Sequence, residues 1–357
     1  MDKISYVMTP AEQTVSKCAG LYTNYGYRRF LMNKFEDYSL YADNKSFLVD
    51  DRLLTFTDGG KLKALKPDIT LSIVKNLARD QHLPLKVFYN ETVYRVKKGD
   101  REFSELHQMG LELIGDDSLY AITEVVSLAK ATLDAVNQNN ILDISHMGIL
   151  SSLIDHACEC GAQRDELTAM ISQKNADGIQ SMLSALDCEN PLAILVDSYL
   201  PISQMIPALK ATLPDSQAVE ELAQIAEVLQ SLGLDHNVYL DFSLMHDIGY
   251  YNGIIFKGYI KDVPVAVLSG GRYDPLLERF GLSAAAIGFA LYLDYIRYSD
   301  SAPESDVLLL YSDKDSALSI TQAMQKITAQ GKHVMAASQI PANRKFSKIL
   351  HVTEVLK

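Results

Sequence analysis

The chain contains 357 residues, of which 48% are hydrophobic and 22% charged, a composition typical of a globular protein. Because one core rarely grows beyond roughly 250–300 residues, this length predicts one large domain with one or two smaller ones. Acidic residues outnumber basic residues 45 to 33, for a net charge of −12, which argues against a main role in holding nucleic acid.

The N-terminal residues indicate where the protein is expected to work. The segment MDKISYVMTPAEQTV lacks the apolar core of a secretion signal. No apolar run of about 18 residues or more follows it, so no membrane-spanning helix is predicted. We therefore expect a cytoplasmic protein without membrane contact.

Helix and turn signals are clear in the first 85 residues. Thr9, Pro10 and Glu12 form an N-cap, a first-turn proline and a capping-box acid, and they predict a helix over 9–25. Residues 28–41 are predicted to be extended.

The next segment combines a hairpin signal with a second helix start. Asp58-Gly59-Gly60 is typical of a turn joining two short strands. Pro67 and Asp68 then predict the start of a helix.

Residues 85–115 form two β-rich runs about a turn at residues 97–100, which predicts a long antiparallel hairpin. In its second arm Gln108, Gly110 and Glu112 alternate, so they face one side of the sheet. Such a face is either solvated or a ligand wall. Because a glycine on a strand often marks the close approach of a ligand, the pattern keeps the second interpretation open.

The middle of the chain is predicted to be largely helical. A helix over 118–137 is followed by a strand. From about 150 to 232 the pattern becomes wholly helical and is interpreted as an insertion. A strand returns at 237–244.

Residues 246–260 predict a tight turn and then a strand, with Tyr250 and Tyr251 on opposite faces, one in a pocket and one in its wall. Gly270-Gly271 is interpreted as a turn, with a helix following Asp274.

The C-terminal part begins with a strand that passes into a helix over 284–298. A polar linker follows. Residues 305–357 predict a separate β-α-β unit that ends in a strand, KILHVTEV.

The cysteines give no strong functional signal. Cys18, Cys158, Cys160 and Cys188 are too few for a disulfide framework. The segment HACEC could offer zinc ligands, but its spacing differs from C-x₂-C, and alternate residues of a helix do not share a face. The sequence favours simple thiols, and no metal is expected.

Phosphate loops, dinucleotide fingerprints and nucleophile elbows are all missing from the sequence. Four segments instead resemble, in order, the catalytic domain of histidyl-tRNA synthetase, a class II synthetase. They span about residues 5–298 and are LKPDIT, VYRVKKGDREFSELHQMGLELIG, DIGYYNGIIFKGY and SGGRYDPLLERFG with AAIGFALYLDYI.

The resemblance implies an α+β fold. A class II aminoacyl-tRNA synthetase-like antiparallel sheet flanked by helices would occupy residues 1–298, with the helical insertion at about 150–232. Residues 305–357 would form a small, truncated α/β domain.

An amino-acid pocket for histidine is also implied by the resemblance. Asp68, Thr70 and Gln108 would line the site of the α-amino group, and Glu112 and Tyr251 the imidazole site. Arg95 would lie near the carboxylate, and Tyr250 fits either the pocket or the core. The residues implied to bind histidine are Asp68, Thr70, Arg95, Gln108, Glu112, Tyr250 and Tyr251.

The departures from the synthetase pattern remove positive charge. His246 and Tyr295 stand where the synthetase has arginines, the second of which holds ATP, and Lys66 replaces a third arginine. A neutral tyrosine cannot replace a guanidinium at a phosphate. We therefore expect no catalytic residues, no cofactor and no aminoacylation.

A retained amino-acid pocket combined with missing arginines resembles the regulatory subunits of ATP phosphoribosyltransferase, which are synthetase paralogues in histidine biosynthesis. The resemblance implies a homodimeric core, and a hetero-octamer of four such chains with four short-form catalytic subunits, inhibited by histidine. A divergent histidyl-tRNA synthetase, or another synthetase paralogue, for example one that modifies a different substrate or binds RNA, remains an alternative. Binding of tRNA is not expected.

Overall fold

The computed structural model describes residues 8–45, 48, 52–80, 83–96, 102–158, 161–244, 250–298, 307–342 and 345–357. The described helices are α1 (Pro10–Asn24), α2 (Tyr38–Ala42), α3 (Thr70–Asp80), α4 (Leu119–Val136), α5 (Met147–Ala157), α6 (Gly161–Ser172), α7 (Ala176–Ala185), α8 (Leu192–Asp197), α9 (Ile202–Thr212), α10 (Gln217–Ser231), α11 (Asp274–Arg279), α12 (Ala317–Ala329) and α13 (Val352–Leu356).

Strands fall into three sheets. They are β1 (Arg28–Arg29), β2 (Phe35–Asp37), β3 (Thr55–Asp58), β4 (Lys61–Leu65), β5 (Leu85–Val96), β6 (Phe103–Ile114), β7 (Asn140–His146), β8 (Leu200–Pro201), β9 (Val238–Leu240), β10 (Ile254–Ile260), β11 (Leu268–Arg272), β12 (Ala286–Tyr292), β13 (Val307–Leu310), β14 (Val334–Ala337) and β15 (Lys348–His351).

The chain divides into two compact units. One comprises Thr14–Arg297, and the other comprises the described residues of Met1–Gln13 and Tyr298–Lys357. In the second unit, β13 lies between β14 and β15 in a parallel three-stranded sheet. Helices α12 and α13 complete this unit, whose core includes Val307, Leu309 and Ile327.

The larger unit is built on a nine-stranded sheet in the order β1-β5-β6-β12-β11-β10-β7-β9-β8. Its six central strands, from β5 to β7 in that order, run antiparallel to one another. At the edges, β1 runs parallel to β5 and β9 runs parallel to β7. The antiparallel sheet expected from the sequence is thus present, with parallel strands added at both sides.

One face of this sheet is apolar and is covered by helices. Phe88, Leu111 and Phe289 are buried, and the Tyr22 ring of α1 lies 5.9 Å from Phe88 and 6.0 Å from Phe289. The Tyr22 hydroxyl also lies 3.0 Å from Thr132 of α4. Burying a large apolar side chain stabilises the fold by roughly 1.5–3 kcal/mol, so this face anchors the sheet and leaves the other face available for a site.

Local sequence signals for several elements are confirmed. The Thr9 backbone N–H donates to Glu12 Oε2 at 2.7 Å, as a capping box requires. Gly59 and Gly60 have φ values of +55° and +78° between β3 and β4, the conformation that this hairpin turn needs. The β5–β6 hairpin is also present, and its predicted turn at residues 97–100 lies outside the described residues.

Some predictions of local structure were wrong. Residues 38–42 form α2 rather than an extended segment, and 293–295 form a single 3-10 turn rather than a helix. The last predicted strand ends at His351 and continues as α13. Within the insertion, β8 (Leu200–Pro201) pairs with β9, so this region is not wholly helical. Short segments of this kind take their structure from their neighbours rather than from their own periodicity.

Gly270-Gly271 was predicted to be a turn, and this was wrong. Both glycines lie inside β11, where Gly270 pairs with Phe256 and Phe289. A Cβ on Gly271 would lie 2.6 Å from the Ile254 carbonyl oxygen and 2.8 Å from the Tyr251 ring. The glycines therefore permit close approach of neighbouring groups and do not reverse the chain.

The structure adds two negative findings about the described residues. No helix among them is long and apolar enough to cross a bilayer. Within the same part of the chain, no group of three or more histidine, cysteine, aspartate or glutamate side chains could hold a metal ion. Cys160, one of the candidate zinc ligands, lies outside that part.

Candidate functional site

A cavity of about 110 Å³ lies on the face of the nine-stranded sheet that the helices α1 and α4 leave uncovered. This volume is several times the roughly 10–15 Å³ that one water molecule requires, so the cavity can hold a small organic molecule. All the residues implied to bind histidine line it: Asp68, Thr70, Arg95, Gln108, Glu112, Tyr250 and Tyr251.

Strand register explains how the floor of the cavity forms. Gln108, Gly110 and Glu112 alternate along β6 and point to the cavity side, as predicted. Opposite Glu112 on β12 is Gly288, which in turn lies opposite Gly271 of β11. Because these glycines have no side chains, the sheet backbone itself forms the floor beside the Glu112 carboxyl group.

Glu112 is the most deeply enclosed acid of the cavity, with 2% of its surface exposed. The Thr70 hydroxyl donates to Oε1 at 3.0 Å, and the Tyr273 hydroxyl donates to Oε2 at 2.7 Å. Burial nevertheless dominates and raises the pKa of Glu112 from 4.5 to about 8. Burial therefore favours the protonated form of the carboxyl group, and a hydrogen-bonding cation or N–H group would favour its ionised form.

Asp68 and Arg95 form a second polar group at the start of α3. Asp68 Oδ1 accepts from the Leu71 backbone N–H at 2.9 Å, and Arg95 Nη2 lies 3.4 Å from Asp68 Oδ2. Arg95 Nε also donates to the Pro67 carbonyl oxygen. Burial raises the pKa of Asp68, and the guanidinium opposes that shift. The only arginine among the described lining residues is therefore already engaged with the protein.

Gln108 differs from the other polar lining groups. It is 2% exposed, and its Nε2 has no hydrogen-bond partner. A buried amide N–H without an acceptor destabilises a protein by about 1–3 kcal/mol. The cavity thus contains a donor whose partner must come from a ligand or from water.

Tyr250 and Tyr251 depart from the prediction. They precede β10 instead of lying on it, so strand alternation does not separate them. Both line the cavity, and their rings meet edge to face at 4.6 Å with an interplanar angle of 72°. The prediction of opposite faces was therefore wrong, because it treated the loop before the strand as part of the strand.

Several lining residues were missed by the sequence analysis. Tyr89, Tyr273 and Tyr292 line the cavity, and Tyr273 supplies the shortest hydrogen bond to Glu112. Tyr273 follows Arg272, the last residue of β11, and recognising that strand would have placed it beside the site.

Tyr295 and His246 stand where the synthetase pattern has arginines. Tyr295 packs against the hydrophobic cluster that includes Ile73 and Leu276, and its ring lies 5.5 Å from Tyr292. His246 lies outside the described residues.

Replacing Gly288 with alanine is expected to lower the free energy of unfolding by about 1–3 kcal/mol. The added Cβ would overlap Glu112 Oε2 and the Leu111 carbonyl oxygen, and the latter belongs to a paired strand that cannot rotate away. Urea unfolding would measure the change. Gly20→Ala is the control, because Gly20 lies in α1 with open space around it, and the substitution should stabilise the helix by up to about 1 kcal/mol. Equal stability of the Gly288→Ala variant and the parent would contradict the close approach of Glu112 and the Leu111 carbonyl oxygen to Gly288.

Comparisons with known proteins agree with the fold. The family model described as histidyl-tRNA synthetase matches residues 8–296. An ATP phosphoribosyltransferase regulatory subunit from Alkaliphilus metalliredigens (strain QYMF) is 32% identical over 286 residues, which cover 76% of this chain and 72% of that relative.

Two solved structures share the fold. An ATP phosphoribosyltransferase regulatory subunit/histidyl-tRNA synthetase from Bacillus halodurans C matches with a TM-score of 0.77 and 24% identity, covering 96% of this chain and 93% of that chain. A chain of the ATP phosphoribosyl transferase complex from Thermotoga maritima matches with a TM-score of 0.63 and 20% identity, covering 79% and 97%.

Proposed function

This chain belongs to the histidyl-tRNA synthetase family and, within it, to the ATP phosphoribosyltransferase regulatory subunits, and we propose that it is the non-catalytic subunit of such an enzyme complex. It serves histidine biosynthesis by supporting the activity of a separate catalytic subunit. Histidine binds in the cavity above β6 and signals that the end product is abundant.

The observation that carries this proposal is a cavity that has binding groups but lacks the charges for phosphate chemistry. Glu112, Asp68 and Gln108 offer acceptors and a donor that suit an amino acid with an imidazole ring. By contrast, Tyr295 stands at the position of the ATP-holding arginine, and Arg95 is engaged with Pro67 and Asp68. Fixed positive charge at the phosphates contributes several kcal/mol to such reactions, so binding without aminoacylation follows.

The partner in this proposal is the short-form catalytic subunit. The names of the relatives support a regulatory role, and the Thermotoga structure is itself a chain of an ATP phosphoribosyl transferase complex. We propose four regulatory and four catalytic chains, with the regulatory chains paired as a homodimeric core. Histidine can change the activity of such an assembly only through its different affinities for two states of the complex.

Calorimetry on the purified chain tests the proposal. Histidine is expected to bind with a dissociation constant of roughly micromolar order, and ATP should leave this value unchanged because the site does not assemble an adenylate. A parallel assay of ATP–pyrophosphate exchange with histidine should show no exchange.

Three other results of these experiments would indicate a different function for the chain. Exchange activity would identify a divergent synthetase, and salt-sensitive tRNA binding would identify an RNA-binding paralogue. Absence of histidine binding would leave the chain as a scaffold that activates its partner, with the histidine site elsewhere in the complex.

A further inference from the structure

The loop before β10 and the segment after β11 are joined by two side chains that do not line the cavity. Asn252 follows Tyr251 in sequence, and Asp274 follows Tyr273. Asn252 Nδ2 donates to Asp274 Oδ2 at 2.9 Å, and the Asp274 backbone N–H donates to Asn252 Oδ1 at 3.2 Å. Neither residue is among the described residues of the cavity lining, so the pair joins two wall segments without touching a bound ligand.

The Asp274 carboxylate is held firmly by the strands beside it. Arg272, the last residue of β11, places Nε and Nη2 each 2.8 Å from Oδ2. Oδ1 accepts from the Ala286 backbone N–H, at the start of β12, at 2.9 Å. Only 13% of the Asp274 side chain is exposed. Because charge-assisted hydrogen bonds are stronger than neutral ones, Asp274 is a fixed acceptor for Asn252.

Asn252, by contrast, is exposed and lies in the loop rather than in β10. Its backbone N–H donates to the Arg272 carbonyl oxygen at 3.1 Å, and its side chain adds the two contacts with Asp274. Since Tyr250 and Tyr251 precede it directly, these contacts restrain the backbone that carries both rings.

Ring contacts extend the connection into the cavity. The Tyr250 ring centroid lies 4.6 Å from that of Tyr251 and 5.9 Å from that of Tyr273. The Tyr273 hydroxyl in turn donates to Glu112 Oε2 at 2.7 Å. The two wall segments therefore meet through aromatic rings in the cavity and through an amide–carboxylate pair outside its lining.

Resting on the proposed function, we propose that Asp274 is a positioning residue, which acts through Asn252 to hold the loop of residues 250–252 in the arrangement that binds histidine. The apparent affinity of a ligand falls with the fraction of molecules in the binding arrangement, so loosening this pair should weaken histidine binding. Loss of one such hydrogen bond corresponds to roughly threefold to tenfold in affinity.

Two single variants should each break the pair and weaken histidine by about this factor in calorimetry. In Asp274→Asn, one amide oxygen cannot accept from both Ala286 and Asn252, so a contact is lost whichever way the amides turn. In Asn252→Asp, two carboxylates face each other and neither can donate. Where either variant does not fold, as judged by circular dichroism, Asn252→Ala replaces it, because it leaves the contacts of Asp274 with Arg272 and Ala286 in place.

The swapped variant, which combines Asn252→Asp with Asp274→Asn, separates positioning from general damage. It again places an amide opposite a carboxylate and keeps a negative charge beside Arg272, so both contacts can form again. Histidine affinity should return to within about twofold of the parent, whereas independent defects would multiply.

Hydrogen exchange of the unliganded chains measures the same restraint without histidine. Backbone amides of residues 250–253 and 273–274 should exchange faster in each single variant and regain protection in the swapped variant. Asn175→Ala is the matched control, because the Asn175 side chain accepts from the Gly178 N–H at 2.9 Å as the N-cap of α7. It should lower the urea midpoint without changing histidine affinity or exchange at these amides.

Three results would overturn the inference. Parent-like affinity in both single variants, or multiplied weakening in the swapped variant, overturns it and leaves the proposed function intact as long as the parent chain binds histidine. Failure of the parent to bind histidine overturns the role in binding together with the proposed function.

Discussion

A Glu112→Gln variant is expected to lose histidine binding by at least about tenfold and, at the same time, to become more stable than the parent chain above about pH 8. Both effects come from the same carboxyl group. Glutamine preserves the shape and can keep both contacts, with one hydroxyl of Thr70 and Tyr273 donating to its oxygen and the other accepting from its NH₂ group, but it cannot carry the charge that an imidazole N–H group favours. Loss of binding together with gain of stability is the signature of a functional group held in an unfavourable environment.

The pH dependence follows from the raised pKa. In the folded chain the pKa of Glu112 is about 8, whereas its ordinary value is 4.5, so between these values the folded state holds a proton that the unfolded state has released. The stability that this proton provides is complete below about pH 4.5 and is lost as the pH rises through about 8. This loss of unfolding free energy should be on the order of a few kcal/mol in the parent chain. Glu112→Gln should not show it, because its amide does not ionise.

Urea unfolding of both chains from pH 5 to pH 9, with histidine titrations at the same pH values, would measure these changes. Asp143→Asn is the matched control. Burial raises the pKa of Asp143 to about 6, and its carboxylate accepts from Tyr199 at 2.8 Å, outside the cavity lining. It should change stability in a lower pH range and leave histidine affinity intact. In the complex, Glu112→Ala should reduce inhibition by histidine, and unchanged inhibition would reject the pocket assignment.

A Lys66→Met variant is expected to lose about 3–5 kcal/mol of unfolding free energy. Lys66 is completely buried, and its Nζ lies 2.6 Å from Glu91 Oε2, with 16% of the Glu91 side chain exposed. Removing the lysine leaves the Glu91 carboxylate in a poorly hydrated place without a counter-charge. The desolvation of an unpaired ion, rather than the strength of the lost pair, sets the size of the effect.

A substitution of Glu91 separates the desolvation of its unpaired carboxylate from the strength of the lost ion pair. Adding Glu91→Gln to Lys66→Met removes the unpaired charge, and most of the lost stability should return. Lys210→Met is the surface control, because both side chains of the Lys210–Glu220 pair are about half exposed. Its loss should lower the free energy of unfolding by less than about 1 kcal/mol. If the double variant were no more stable than Lys66→Met, the buried charge would not be the cause.

The extent to which the sequence predicted the site depended on how local each signal was. The alternation of Gln108, Gly110 and Glu112 needs only the period of one strand, and it correctly placed them on one face. The turn at Gly59-Gly60 was likewise predicted from adjacent residues alone. Resemblance added Asp68 and Thr70, which lie far from β6 in sequence and meet it only in three dimensions.

The failures came from contacts between distant segments. Gly270-Gly271 has the composition of a turn, and only the crowding by Ile254 and Tyr251 shows why glycine is required inside a strand. Tyr273 carries no sequence sign that it donates to Glu112, which is 161 positions away. Likewise, no periodicity shows that the buried Gln108 Nε2 has no hydrogen-bond partner.

The glycine floor determines how the cavity can transmit a signal. Gly288 and Gly271 are paired on both sides within the sheet, and Gly110 is paired with both β5 and β12, so strand hydrogen bonds hold the floor from both sides. Among the described lining residues, those outside the strands lie at Asp68–Thr70, at Tyr250-Tyr251 and at Tyr273, and strand pairing does not fix them. If the proposed function holds, a signal of ligand binding would leave the cavity through these wall segments rather than through its floor, and a partner would sense it on the surfaces behind them.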